Sequence, residues 1–201
     1  MKRREYCALS KTVSQYVLDR ILSGEATEIV VERIHEYLTT IGEDVRGGKI
    51  KLDEFIIFKR LGKNPEDYPD AKSQPHVQVA LRMKTRNVAV RAGDVIPYIF
   101  CSGEADATGN SAQAERARHP DELRKAGSET PAGLYSPSLG IACRLLILVS
   151  RIVFTDYEYY LAHQILPPIE RLCDPIEGTD RARLAECLGM CSPPLLSVTA
   201  S

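Results

Sequence analysis

The stretch Lys49–Arg91 reads KIKLDEFIIFKRLGKNPEDYPDAKSQPHVQVALRMKTRNVAVR and carries most of the chain's information. It holds ten basic side chains (Lys49, Lys51, Lys59, Arg60, Lys63, Lys72, Arg82, Lys84, Arg86, Arg91) against five acidic ones (Asp53, Glu54, Glu66, Asp67, Asp70). The whole chain has a formal net charge of -1, so this is a local excess. A positive field confined to one part of a near-neutral chain attracts a polyanion without making the protein generally adhesive. The same charges also fit a plain solvated face. Val77, Val79, Leu81 and Met83 alternate strictly, which predicts a half-buried strand. Asn87 marks a turn, Val88 to Val90 a return strand, and Val95 to Phe100 another. A small antiparallel sheet between helical layers is therefore expected.

Helical patterns flank this stretch. Ser10 is placed to cap a first helix carrying Val13, Val17 and Ile21 on one face, ended by Gly24. Thr27 is placed to cap a second, with an apolar stripe of Val30, Ile34, Leu38 and Ile41 closed by Gly42. The two should pack as an antiparallel pair. Further on, Ser111 opens a helix that Pro120 restarts or kinks, and Thr155 with Glu158 has the spacing of a capping box. A last short helix is expected from Thr179 to Leu188, ending at Gly189. The predicted class is α+β, predominantly helical.

Composition narrows the function classes. At 201 residues, 44% hydrophobic and 26% charged, the chain has the makeup of a globular protein with one good core and at most a small satellite. Its basic start leads into an amphipathic helical pattern and not into the apolar run of a secretory signal. The six cysteines have no regular spacing, and Cys187-x-x-x-Cys191 lacks the second pair that a closed zinc site needs. The apolar run Leu139 to Phe154 is interrupted by Arg144 and Arg151 and is shorter than the ~18 apolar residues of a membrane span.

A specific order of short motifs runs through the basic stretch and beyond it. Lys59-x-Leu61 is followed by Pro65-Glu66-Asp67-Tyr68-Pro69, Lys72, Pro75-His76-Val77-Gln78-Val79-Ala80 and Gly93-Asp94-Val95-Ile96-Pro97-Tyr98. Lys2-Arg3-Arg4-Glu5 precedes them. Ala114-Glu115-Arg116-Ala117 with Pro120-Asp121-Glu122-Leu123, and Asp156 to Ile165 with Pro167-Pro168, follow them. This succession closely resembles the thumb of the family B DNA polymerases, in particular the eukaryotic replicative members. The opening block resembles the RRD-type motif where palm passes into thumb, with Glu in the place of Asp. The Asp156 block resembles the late YY-x-x-x-QI-x-P helix. The likeness covers roughly residues 1–126 and 156–189.

The resemblance implies a layout. Residues 1–9 would be the end of the palm and the palm–thumb hinge. Residues 10–126 and 156–189 would be the thumb, 127–155 an atypical insertion and 190–201 an atypical tail. Where the family has a short connection, this chain has a long apolar one, and the pattern resumes abruptly at Asp156. That points to translated intron; a genuine insertion forming a buried strand or helix is the other reading. The chain also opens inside the hinge motif, as a piece of a longer protein would.

The implied function is to hold nascent primer–template duplex whatever its sequence, which calls for Lys and Arg on phosphates and little reading of base edges. Arg3 and Arg4 at the hinge, with Lys59, Lys63, Lys72, His76 and Arg82, are the candidate DNA contacts. Each also has a plainer reading: Arg4 or Arg82 in an internal ion pair, Lys63 solvated, His76 in packing. Two-metal phosphoryl transfer needs carboxylates that set ions about 3.5–4 Å apart. The family's SLYPS-type and YGDTD-type motifs that supply them do not occur here, nor does its KKRY-type motif. The piece is therefore expected to be inactive alone, with no cofactor of its own, and Mg²⁺ is implied for the full-length enzyme. Upstream polymerase domains, primase and an accessory subunit are the implied partners, with a nuclear location and no membrane. A stand-alone, non-catalytic nucleic-acid-binding module derived from such a thumb is the alternative, and a protein-interaction domain with a solvated basic sheet is a weaker one.

Overall fold

The computed structural model describes residues 5–102, 110–125 and 155–190. Arg3, Arg4, most of the insertion and nearly all of the tail lie outside the described residues. The chain forms two compact units, one from residues 1–8 and 50–156, the other from residues 9–49 and 157–201. The boundaries of these units cut across the layout implied by the motifs. Among the described residues helices dominate, with one three-stranded antiparallel sheet, as the class predicted.

The second unit is helical. Its α1 (Ala8–Ile21) buries Leu9, Val13 and Val17, and α2 (Thr27–Arg46) buries Val30, Ile34, Leu38, Ile41 and Val45. Ser10 does not cap α1. It lies inside the helix, buried, and its hydroxyl donates to the Gln164 carbonyl. Pro168, four residues on and next to Pro167, has no N–H to give that carbonyl. The same pair of prolines explains the helix Gln164 sits in: α6 (Tyr157–Tyr159) passes into a π-helical segment (Tyr160–Ile165) and then α7 (Leu166–Cys173). The Leu166 N–H reaches back five residues to Leu161, the widened ladder of a π-bulge.

Gly42 does not close α2 either. The helix runs through it to Arg46, and a Cβ at Gly42 would stand 2.7 Å from the Leu188 carbonyl oxygen and 2.9 Å from its carbon. Here glycine is a close-approach residue and not a stop. Thr27 is the first helical residue and Ala26 occupies the cap position with no side-chain bond. The last helix, α8 (Arg181–Cys187), is capped by Asp180, whose carboxylate accepts from the Arg183 N–H at 2.7 Å. It ends at Gly189 (φ +69°), with the Met190 N–H on the Ala185 carbonyl and the Gly189 N–H on that of Glu186. Glu158, expected in a capping box with Thr155, instead holds Arg46 at 2.8 Å, and Arg46 also donates to the Leu188 carbonyl. Thr155 belongs to the first unit, where it forms an isolated bridge with Cys101.

The first unit holds the sheet. Strand β1 (Ile57–Arg60) pairs antiparallel with β2 (Val95–Phe100), Ile57 opposite Tyr98 and Arg60 opposite Val95. Strand β3 (Ala117–Arg118) adds to the other edge of β2. The expected strand at Val77–Met83 is a helix, α3 (Pro75–Thr85). Pro75 sits at its start, where a missing N–H costs nothing, and most of the residues after it are good helix formers. The buried side chains are His76, Val77, Val79 and Ala80, a helical face that happened to include two members of the alternating series. Val88 to Val90 forms no strand. Asn87 (φ 62°) ends α3 in the left-handed conformation, and the Val88 N–H bonds back to the Met83 carbonyl at 3.1 Å. Two further helices, α4 (Asn110–Glu115) and α5 (Pro120–Lys125), flank β3. Phe55, Ile57, Leu61, Val77, Ala80, Ile96, Ile99 and Leu123 are buried in this unit.

Cys7, Cys101 and Cys173 are buried, unlinked thiols. Burial pushes the Cys101 thiol up to about 12 and that of Cys173 to about 11, so neither is a nucleophile near neutral pH. Among the described residues no helix is long and apolar enough to cross a membrane.

Candidate nucleic-acid interface

The alternation of β1 sorts its basic residues onto two faces. Arg60, exposed, shares the open face with Phe58, Val95 and Pro97. Lys59 shares the inner face with Ile57 and Ile96, close enough to Glu5 and His76 to act on both electrostatically. His76 is 2% exposed, with its ring edge-on to Tyr68 at 6.0 Å. Burial first, and the Lys59 charge second, push the imidazole down to about 4, so it is neutral near pH 7. Burial likewise raises the Glu5 carboxyl, and Lys59 opposes that.

The loop after β1 is held by side chains. The Tyr68 hydroxyl accepts the Gly62 N–H at 2.7 Å and the Lys63 N–H at 3.3 Å. Asn64 accepts the Ala92 N–H at 3.1 Å, while Asp94 accepts that of Arg91 at 2.8 Å. Main-chain bonds from Leu61 to Asp94 and from Gly93 to Leu61 extend the hairpin. The result is a pinned platform from which Lys63 points to solvent. Lys72 is exposed on the next turn, Ala71–Ser73, which the Gln78 side chain ties to α3 by a bond to the Ala71 carbonyl. Among the described residues, Arg60, Lys63, Lys72 and Arg91 are exposed cations without an ion-pair partner.

Arg82 is placed differently. Its guanidinium donates to the carbonyls of Glu115 and Ala117, which fastens α3 to β3. The structure thus gathers Lys63 and Lys72 on exposed loops of one unit, turns Lys59 and His76 inward together, and sets Arg82 against main chain. Arg60, Arg91 and the positioning role of Tyr68 did not stand out in the sequence. The i, i+2 register of Arg60 with Phe58 is the signal that would have placed Arg60 outward.

Metal chemistry has no donor set here: among the described residues no three His, Cys, Asp or Glu side chains gather closely enough to hold an ion. The sequence pattern of DNA polymerase family B matches residues 1–176. The chain belongs to that family. It is 43% identical over 192 residues to the DNA polymerase alpha catalytic subunit of Oryza sativa subsp. japonica, covering 94% of this chain and 11% of that one. It is 44% identical over 194 residues to the Arabidopsis thaliana protein of the same name, with the same coverages. It is 35% identical over 189 residues to that of Xenopus laevis. The chain thus spans about a tenth of the length of these relatives. Among solved structures, the family B polymerase of Pyrobaculum calidifontis superposes with a TM-score of 0.60 at 23% identity, over 89% of this chain and 19% of that one. This second likeness speaks to the fold alone.

Proposed function

We propose that this chain is the thumb portion of a DNA polymerase alpha catalytic subunit and grips primer–template duplex through its phosphate backbone. The observation that carries the reading is the pinned platform that presents Lys63 and Lys72, with Arg60 and Arg91 beside it in sequence, on the more basic of the two units. Such cations neutralise phosphates without reading bases, which suits an enzyme that must hold every sequence in turn. Arg3 and Arg4 extend this contact set at the hinge. Lys59, His76 and Arg82 act mainly by holding the platform in shape.

In the whole protein, palm carboxylates upstream would hold Mg²⁺, which supplies the charge stabilisation for nucleotidyl transfer. Among the described residues no three His, Cys, Asp or Glu side chains gather to hold that ion. Replication in the nucleus, with primase and an accessory subunit, completes the reading for the full-length enzyme.

The test is fluorescence anisotropy of a labelled primer–template duplex with the 201-residue chain, titrated with KCl. Affinity should fall steeply and linearly on a log–log plot, since each neutralised phosphate releases counterions. Binding that ignores salt, or none at all, would reject the reading.

A further inference from the structure

At the C-terminal end of α3, a cleft of about 640 Å³ opens between that helix, β3 and α5. Its floor is apolar, from Met83, Val88 and Leu123, and Val88 is 46% exposed. Its walls are charged, from Arg86, Arg118 and Glu122. The carboxylates here are already engaged. Glu122 takes Arg86 at 2.9 Å, and Asp121, which also lines the cleft, takes Arg124 at 3.4 Å.

Of the arginines that line the cleft, Arg118 is left over. Arg118 and, behind it, Arg82 both donate to the carbonyls of Glu115 and Ala117, and among the described residues neither has a carboxylate within ion-pair distance. The Arg82 Nε is also buried without an acceptor. Carbonyl dipoles orient these groups without cancelling their charge. The Arg118 guanidinium, with no carboxylate at ion-pair distance among the described residues, stands beside an apolar floor on which Val88 is exposed, and calls for a ligand that carries a carboxylate next to an apolar side chain.

We propose that this cleft is a docking site for an acidic, leucine-type peptide segment of a partner protein. The apolar side chain packs on Met83, Val88 and Leu123 and the adjacent carboxylate meets Arg118. The chain's own stretch 126–154 has the wrong charge to fill it, with Glu129 against Arg144 and Arg151. A duplex backbone would meet the arginines but would leave the apolar floor unused. None of the platform cations Arg60, Lys63, Lys72 and Arg91 lines the cleft.

The probe is a fluorescein-labelled peptide of alternating glutamate and leucine, with a glutamine–leucine peptide as its uncharged counterpart, each titrated with the 201-residue chain. The glutamate peptide should bind, and the glutamine peptide should bind roughly tenfold more weakly or worse. Arg118→Glu should cost the glutamate peptide a similar factor. Val88→Asp, at an exposed position that does not threaten the fold, should do the same, while leaving duplex affinity within about twofold. Circular dichroism of both variants checks the fold. Absence of peptide binding, equal binding of both peptides, or wild-type binding by the folded Val88→Asp variant would overturn the proposal. Loss of duplex affinity in parallel with peptide affinity would overturn it too, and would make the cleft a phosphate contact.

Discussion

Residues 1–8 and 50–156 contain eighteen Lys and Arg against fourteen Asp and Glu, whereas residues 9–49 and 157–201 contain eight against thirteen. The net charge of -1 is the sum of two opposite excesses, and an average over the chain hides both. The units also differ in how they are held. In the helical unit, main chain meets main chain closely at Gly42 and Leu188, and Arg46 closes the same contact. In the sheet unit, loops are held by single side chains, such as Tyr68, Asn64 and Asp94. A scaffold of tightly approached helices tolerates little change, whereas side-chain-pinned loops leave room for exposed cations. The lesson is that polyanion binding should map to one unit and leave the other silent.

The largest effect that could break this division is loss of a core. Phe55→Ala removes a side chain 1% exposed and should cost about 3–5 kcal/mol. Urea unfolding followed by hydrogen exchange should show protection lost in residues 50–102 and kept in α1 and α2. Simultaneous loss from both would mean that the units fold as one.

In the other unit, Gly42→Val forces a side chain onto the Leu188 main chain and should destabilise by about 1–3 kcal/mol. An unchanged thermal midpoint would show that α2 and α8 separate easily.

His76 sharpens the comparison through pH. Its folded value, about 4, lies below the ordinary 6.5. Between these values the unfolded chain binds more protons than the folded one, so stability rises with pH across that window and is lost as pH falls through it. His76→Phe should flatten this slope in pH-dependent unfolding. An unaltered slope would assign it to other groups.

Smaller still is the effect on affinity. Reversing Lys63→Glu and Lys72→Glu together should lower the salt slope of duplex binding by about two, one per lost phosphate contact. Lys11→Glu, equally exposed but on the acidic unit, should leave the slope where it was. A matching drop from Lys11→Glu would dissolve the distinction between the units.

The helices α1, α2 and α8, the strand β2, and the basic loops around Lys63 and Lys72 were legible in chain order. Each depends on neighbours within about four residues: an apolar stripe, a capping aspartate, a run of β-formers, a turn rich in charge. The family resemblance was legible too, because motif order survives in the linear chain. Three matters were not. Alternation at Val77–Met83 fits strand and helix alike over so short a span, and the packing of α3 on β2 and β3 selected the helix. Gly42 reads as a stop until Leu188 arrives from 146 positions later and turns it into a contact. Lys59, His76 and Arg82 read as candidate DNA contacts, with packing open for His76 and an internal pair for Arg82, and the direction of each side chain is set by partners outside its own element: Glu5, Tyr68, and the carbonyls of Glu115 and Ala117. Local propensity chooses the element. Which face of it is buried, and which charges remain outside, depends on long-range packing and on where buried polar groups find partners.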